Sequence, residues 1–124
     1  TADFEITTAL KQAADRLAVK SRVGVVQCKD SFYGQHSPGR MPVAYELEQK
    51  WEAWKKLGVL ASEMESAAIY TAAAALGCKA GCVLHVVWNQ EREAAGLDNP
   101  EVHDTSAAVK CAALAVKLLC GAVS

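Results

Sequence analysis

Aromatic, amide and guanidinium side chains follow one another between residues 30 and 42. Phe32 or Tyr33 can stack on a planar ring, and Gln35 offers a paired donor and acceptor to the edge of an amide-like ring. Arg40 adds a planar cationic fork. The structural alternative is a surface loop anchored by its aromatic residues, with its polar side chains in solvent. The segment is thus either a planar-ligand site or an ordinary loop, and composition alone leaves both open.

Two carboxylates stand in Ser62-Glu-Met-Glu65, directly before an alanine-rich run. The Ser-x-x-Glu spacing is typical of a capping box, in which Ser62 accepts from an amide of the first turn and Glu65 reaches back to the cap amide. A carboxylate in this place could instead accept two vicinal hydroxyls of a sugar through charge-assisted hydrogen bonds. The two roles compete for the same oxygens, so we expect one of them to dominate.

The end of an apolar run carries Trp88 and Asn89. Trp88 can simply close a core, and Asn89 is a candidate hydrogen-bond donor. His85 lies inside the apolar run and is expected to be a satisfied core histidine, while His36 and His103 have no obvious carboxylate or cysteine partner. The sequence shows no Ser-His-Asp or Cys-His arrangement, no glycine-rich phosphate loop and no metal-ligand spacing.

Hydrophobic periodicity predicts the elements that must position these residues. We expect helices over 4–18, 44–56, 62–77 and from about 108 to Gly121, strands over 23–28 and 82–88, a short extended piece at 59–60, and loops over 30–42 and 89–100. Alternating strands and helices predict an α/β fold with a partial, mostly parallel sheet flanked by helices. Ligand sites of such sheets lie at strand ends and helix starts, where all three segments fall. Two or three strands are few, which favours the rest of the sheet lying elsewhere.

Composition and charge exclude several classes of protein. The 124 residues are long enough for a single domain with one core, and a net charge of −1 gives no electrostatic footprint for nucleic acid. No apolar run reaches membrane-spanning length, and the N-terminus does not resemble a secretory signal. The five cysteines are expected to be buried thiols of a cytoplasmic protein rather than a zinc site. Because the chain opens on Thr1 without an initiator Met, we expect a processed product, an excised segment or a piece of something longer.

Four motifs together resemble the C-terminal half of the uridine phosphorylases, in the nucleoside phosphorylase-I superfamily. They are Asp-Phe-Glu-x-Thr-x-Ala-Leu from residue 3, Asp-Ser-Phe-Tyr-Gly-Gln from residue 30, Gly-Val-Leu-x-x-Glu-Met-Glu-Ser from residue 58 and Ala-Gly-Cys-Val from residue 80. Their order and spacing match along essentially the whole chain, and Glu-Met-Glu-Ser before an alanine-rich helix is the most specific of them.

The resemblance implies phosphorolysis of a nucleoside to free base and ribose 1-phosphate, with inorganic phosphate as co-substrate and no metal or organic cofactor. By position, Phe32 resembles the aromatic residue packed against base and sugar, and Gln35 the glutamine that pairs with the pyrimidine edge. Met64 resembles the residue under the ribose, and Glu65 the carboxylate on its 2′- and 3′-hydroxyls. The remaining expected pocket residues are Glu63, Val87 and Trp88.

The chain departs from the family pattern in two places. Ser37 stands where uridine phosphorylases have an arginine two positions after the glutamine, and Arg40 is the expected substitute, completing a catalytic set with Gln35 and Glu65. Purine-cleaving relatives place an aspartate near the end of the second strand, where this chain has Trp88 and Asn89. A pyrimidine nucleoside is therefore favoured over a purine nucleoside by elimination, and the resemblance to uridine phosphorylases implies uridine.

The resemblance also implies that more protein is needed for turnover. The family's phosphate loop and phosphate-binding arginines lie N-terminal to the matching half, and a neighbouring subunit completes each site. We therefore expect an N-terminal half or second chain as partner, exposed apolar surface without it, and a dimer-based homo-oligomer, either a dimer or a hexamer. The alternatives are a purine nucleoside phosphorylase, a nucleosidase using water, a nucleoside-binding module without turnover, and a structural fragment without a ligand.

Overall fold

The computed structural model describes residues 1–122 and divides the chain into two compact units. The first unit contains Thr1 and Val23–Cys78, and the second contains Ala2–Arg22 and the residues from Lys79 onward. In chain order the elements are α1 (Phe4–Arg16), β1 (Val26–Cys28), α2 (Phe32–His36), a 3₁₀ helix (Pro38–Arg40), α3 (Ala44–Lys56), β2 (Ala61–Glu63), α4 (Ser66–Ala75), α5 (Gln90–Ala94) and α6 (Ser106–Leu119). Each unit is described by itself below.

A short parallel sheet organises the first unit. Strand β1 pairs with β2, with Val26 opposite Ala61 and Cys28 opposite Glu63. Before the ladder, the Leu60 amide donates to the Val25 carbonyl at 2.9 Å, which extends the pairing toward the predicted extended piece at 59–60. The helices α2 and α3 lie in the connection between the two strands, as parallel pairing requires. The predicted α/β class with a small parallel sheet is confirmed.

The predicted loop over 30–42 is wrong in part, because it contains two short helical segments. Ser31 begins α2, and its Oγ accepts a hydrogen bond from the Gly34 amide at 3.0 Å. Pro38 then begins the 3₁₀ helix, where its fixed φ suits the first position. The side-chain cap of Ser31 and the fixed φ of Pro38 thus favour helical turns over the loop that the glycines and prolines indicated.

The predicted helix start at Ser62 is also wrong. Ser62 lies within β2, and the helix begins only at Ser66 with Glu65 as the flanking residue. The capping box fails with it, because the Ser62 hydroxyl contacts the side chains of Lys29, directly after β1, and of Gln35 on α2 instead of a helical amide. Backbone pairing with β1 decided the conformation of this segment over its local helix signal.

The predicted strand over 82–88 pairs with no other strand among residues 1–122. Its carbonyl at Val87 accepts from the Val102 amide at 2.9 Å, and Val86 keeps 62% of its surface exposed. The loop predicted at 89–100 in turn contains α5, which Asn89 caps. β-branched residues favour an extended chain, but a strand also needs a partner for its backbone groups.

Helices α1 and α6 pack together in the second unit around small side chains. The buried residues Ala9, Ala13 and Ala115 form its core, with Leu10, Leu114 and Leu118 packed against them. Asp3 caps α1, its Oδ1 accepting from the Ile6 amide at 3.1 Å. None of the helices within residues 1–122 combines the length and apolar character needed to span a bilayer.

The cysteines do not all share the buried environment expected of them. All five are free thiols, but only Cys111 is buried, whereas Cys78 and Cys120 are exposed. Cys78 follows the end of α4, and Cys120 is the C-terminal cap of α6. Helix ends leave these two side chains in solvent, so the expectation of buried thiols is wrong for them.

Candidate functional site

Six of the eight sequence-predicted site residues belong to the first unit: Phe32 and Gln35 on α2, Arg40 on the 3₁₀ helix, Glu63 on β2, and Met64 and Glu65 between β2 and α4. Val87 and Trp88 belong to the second unit. The first six residues follow the carboxyl ends of β1 and β2, which lie side by side because the strands are parallel. That edge of an α/β sheet is where ligand sites are built.

A chain of hydrogen bonds connects the two strand ends through Ser62. The Ser62 hydroxyl donates to Gln35 Oε1 at 2.6 Å, and Lys29 Nζ donates to Ser62 Oγ at 3.2 Å. Lys29 Nζ also lies 3.4 Å from His36 Nε2. All four side chains are half-buried, so water screens these contacts less than it would at an open surface. The predicted base-reading amide is therefore held by the protein.

Aromatic rings lie close to these hydrogen-bonded residues. The Phe32 ring centroid lies 4.2 Å from that of His36 and 5.5 Å, edge-on, from that of Tyr33. Lys29 Nζ is 5.7 Å from the Phe32 centroid, within cation–π range. Phe32 retains 49% exposure, which leaves an aromatic surface that a planar ligand can cover.

Arg40 stands apart from the Ser62 hydrogen bonds. Its guanidinium carbon lies 5.9 Å from the Tyr33 ring centroid, and the residue is exposed. A guanidinium on an aromatic face keeps its donors at the ring edge. Arg40 thus lies at the exposed surface beside Tyr33 of α2.

Glu63, rather than Glu65, stabilises the start of α4. Its Oε2 accepts from the amides of Glu65 and Ser66, each at 2.7 Å, and its Oε1 accepts from the Ser66 hydroxyl at 2.5 Å. Burial raises the pKa of Glu63, but hydrogen bonds from the Ser66 hydroxyl, the two amides and the Cys28 thiol outweigh it and lower the pKa to about 2. Glu63 is consequently an ionised structural carboxylate.

Glu65 is exposed and does not act as a capping side chain. Its Oε2 accepts from the amide of the preceding Met64 at 3.2 Å, and no side-chain bond to a helical amide caps α4 from this residue. Met64 beside it is 39% exposed. Because Glu63 satisfies the helix amides, the Glu65 carboxylate and the Met64 thioether are both accessible to a ligand.

In the second unit, polar residues near Trp88 serve local structure. Asn89 Oδ1 accepts from the amides of Glu91 and Arg92, both at 3.0 Å, so Asn89 acts as the α5 cap rather than as a donor to a ligand. His85 Nε2 lies 2.7 Å from the Val102 carbonyl, which confirms a satisfied histidine, although one in an irregular segment. His103 lies 3.2 Å from Glu101, a carboxylate partner that the sequence did not indicate.

Sequence reasoning missed Lys29 and the bridging role of Ser62. Lys29 directly follows β1, and a basic residue just before Asp30 reads as an ordinary strand-end charge. Ser62 was expected to cap a helix. Only the parallel pairing of the two strands shows that both residues reach α2. Among residues 1–122, no three His, Cys, Asp or Glu side chains are grouped in a way that could hold a metal ion.

The arrangement can bind a planar ring carrying a sugar. Phe32 offers an aromatic face, Gln35 an oriented amide, and Glu65 an accessible carboxylate for hydroxyl groups. These are the three contacts that recognition of a nucleoside requires.

The fold and this residue set define a class of protein, and comparison with known proteins agrees. The chain belongs to the phosphorylase superfamily, whose family model matches residues 1–120. It is 54% identical over 117 residues to the uridine phosphorylase of Treponema pallidum, covering 94% of this chain and 45% of that protein.

Two further relatives are more distant. The uridine phosphorylase of Escherichia coli is 39% identical over 97 residues, covering 74% of this chain and 38% of the relative. The DeoD-type purine nucleoside phosphorylase of Geobacillus kaustophilus is 36% identical over 98 residues, covering 76% of this chain and 36% of the relative. The chain thus spans less than half the length of these relatives. The resemblance to uridine phosphorylases is confirmed.

Proposed function

We propose that the protein takes part in the phosphorolysis of uridine to uracil and ribose 1-phosphate, as a uridine phosphorylase of the pentosyltransferase class. The observation that carries this proposal is the hydrogen bond between Gln35 on α2 and Ser62 on β2, three residues before Glu65, in a chain 54% identical to a uridine phosphorylase. Inorganic phosphate is the co-substrate, and no metal or organic cofactor is required.

The proposed roles follow from how a glycosidic bond breaks. Cleavage gives the ribose positive character and the base negative character, so a donor near the base and a carboxylate near the sugar favour the transition state. Gln35 and Arg40 bind the base edge and stabilise its developing charge, and Phe32 packs against the ring. Glu65 holds the 2′- and 3′-hydroxyls, with Met64 beneath the ribose.

The remaining predicted residues support that site. Glu63 holds the segment that carries Glu65, through its bonds to Glu65 and Ser66. Val87 and Trp88 are proposed as apolar substrate-binding residues from their positions in the sequence. The phosphate site is contributed by an N-terminal half or second chain, and the enzyme works in the cytoplasm as a dimer-based homo-oligomer, either a dimer or a hexamer.

A chromatographic assay of base release tests the proposal. Protein expressed from its complete gene is incubated with uridine, thymidine or inosine, with and without phosphate. We expect uracil from uridine only when phosphate is present. Release of hypoxanthine alone would assign a purine nucleoside phosphorylase, the second candidate that the Geobacillus relative favours. Release without phosphate would assign a nucleosidase, and no release would leave a binding module.

A matched pair of glutamine variants tests the role of Gln35. Gln35→Glu keeps an oxygen for Ser62 but removes the amide donor, so kcat/KM for uridine should fall at least about 10-fold. Gln49→Glu, an exposed glutamine on α3, makes the same chemical change away from the strand ends and should leave kcat/KM unchanged. Equal behaviour of the two variants would exclude Gln35 from the base site.

A further inference from the structure

Lys29 occupies a position that the sheet itself defines. Its backbone amide donates to the Glu63 carbonyl at 2.9 Å, directly after the last β1–β2 pair. The residue is half-buried, whereas Lys50 on α3 is exposed and pairs with Glu46 at 2.6 Å. Backbone pairing therefore directs the Lys29 ammonium group toward Ser62 and His36.

Hydrogen-bond chemistry sets the direction of the contacts from Lys29 to Gln35. An ammonium group can only donate, so Ser62 Oγ accepts from Lys29 at 3.2 Å. The Ser62 hydroxyl in turn donates a hydrogen bond to Gln35 Oε1 at 2.6 Å. The oxygen and the nitrogen of the Gln35 amide are consequently distinguished, because Oε1 faces Ser62.

The charge of Lys29 is supported by its neighbours. Burial lowers the pKa of Lys29, and the carboxylates of Glu63 and Glu65 oppose that effect. The Phe32 ring at 5.7 Å adds a cation–π contact. If the Gln35 amide were rotated by 180°, its NH₂ group would face Ser62. The Ser62 hydroxyl would then have lost the oxygen to which it donates, which disfavours the rotated form.

We infer that Lys29 is a positioning residue that, acting through Ser62, holds the Gln35 amide in the orientation that selects 4-oxo over 4-amino pyrimidines. The inference rests on the proposed function, in which Gln35 binds the base. A uracil ring presents an N3–H donor flanked by carbonyl acceptors, whereas a cytosine ring presents an N3 acceptor and a 4-amino donor. An amide held in one orientation matches the first pattern and opposes the second.

Steady-state kinetics with uridine, cytidine and phosphate test this inference in protein expressed from the complete gene. In Lys29→Met and in Ser62→Ala we expect KM for uridine to rise about 10-fold, and the uridine-to-cytidine ratio of kcat/KM to fall by a similar factor. KM for phosphate should not change. The double variant should lose little more than either single variant, because both remove the same chain of contacts.

Two further variants separate positioning from stability. Lys29→Arg, which keeps a cationic donor, should retain more of the preference for uridine than Lys29→Met does. Lys50→Met removes a lysine of the exposed pair on α3 and should leave the kinetics unchanged. If Lys29→Met fails to fold, the same kinetic measurements on Ser62→Ala test the inference.

Several outcomes would overturn the inference. An unchanged uridine-to-cytidine ratio in both variants, with or without a lower thermal midpoint, would reduce Lys29 to a structural residue. A parallel rise in KM for phosphate would place Lys29 on phosphate instead. Wild-type protein that releases no uracil with phosphate would overturn the proposed function and this inference together. If the wild-type protein is active and the variants keep its uridine-to-cytidine ratio of kcat/KM, only the inference is overturned.

Discussion

Two polar regions of the molecule follow apolar runs, and their side chains are used differently. After β1 and β2 in the first unit, Lys29, Gln35 and Ser62 bond to one another across 27 to 33 residues of sequence. After the 82–88 run in the second unit, Asn89 and Asn99 bond to nearby backbone, the Asn99 amide donating to the Asn89 carbonyl at 3.0 Å. The first region is assembled by tertiary pairing, and the second is a locally closed loop.

The difference shows which polar residues are available for chemistry. The side-chain oxygen of Asn89 accepts from amides in the first turn of α5, so Asn89 has a structural role. Glu65 does not cap a helix, because Glu63 accepts from the amides at the start of α4. A side chain becomes a candidate ligand-binding group when a neighbour performs the structural task that its own position would demand. The variants below test that distinction.

The largest effect is expected from Glu65→Gln. Removing the charge should lower kcat/KM for uridine about 100-fold, or about 2.7 kcal/mol, because charge-assisted bonds to both ribose hydroxyls weaken. The thermal midpoint should stay unchanged. The fall in kcat/KM should be smaller for 2′-deoxyuridine, because that substrate has one ribose hydroxyl fewer. Glu48→Gln on α3 is the exposed control. A stability loss with intact kinetics would make Glu65 structural after all.

Gly81→Ala should disturb the second unit only. A Cβ at Gly81 would overlap Ile6 Cγ2 of α1, and a β-branched side chain has little freedom to move away. We expect a loss of about 2 kcal/mol in the free energy of unfolding, measured with urea. Gly39→Ala, where a Cβ meets nothing within 4 Å, should stay within about 0.5 kcal/mol of wild type. Equal stability of both variants would contradict the tight α1 contact.

Glu63→Gln should lower the free energy of unfolding by about 1–2 kcal/mol, since three hydrogen bonds to the carboxylate weaken and partial exposure limits the loss. The folded-state pKa of about 2 lies below the ordinary 4.5, so the carboxylate stabilises the fold above the unfolded value. That contribution is lost as pH falls from 4.5 through about 2.

Denaturant unfolding from pH 6 to pH 2 measures this effect. The difference in stability between wild type and Glu63→Gln should shrink steadily across the interval below pH 4.5. A difference that stayed constant with pH would show that Glu63 is not the ionised capping group of α4.

The smallest effect is expected from Asn89→Ala. Loss of the two bonds to the α5 amides should cost about 1 kcal/mol. Hydrogen exchange at the Glu91 and Arg92 amides should speed up, while the uridine-to-cytidine ratio stays at the wild-type value. A changed ratio would place Asn89 in the base site and remove the contrast between the two regions.

Much of the helical structure and the class of fold could be predicted from sequence alone. The amphipathic spacing from Ile6 to Leu17 and the Asp3 cap define α1, and residues 44–56 match α3. These elements depend on contacts within a few residues, which local patterns contain. The motif around Glu-Met-Glu-Ser was likewise sufficient to indicate the family.

Tertiary structure decided the conformations and contacts that depend on distant partners. Ser62 has the local signature of a helix cap, yet pairing with β1 makes it part of a strand and brings it to Gln35 and Lys29. The 82–88 run has the composition of a strand but lacks a paired strand within residues 1–122. Local propensity differs by fractions of a kcal/mol per residue, and backbone pairing between distant segments outweighs it. The sequence by itself therefore determined the family and the helices α1, α3 and α6, while the parallel pairing of β1 and β2 decided which polar side chains meet.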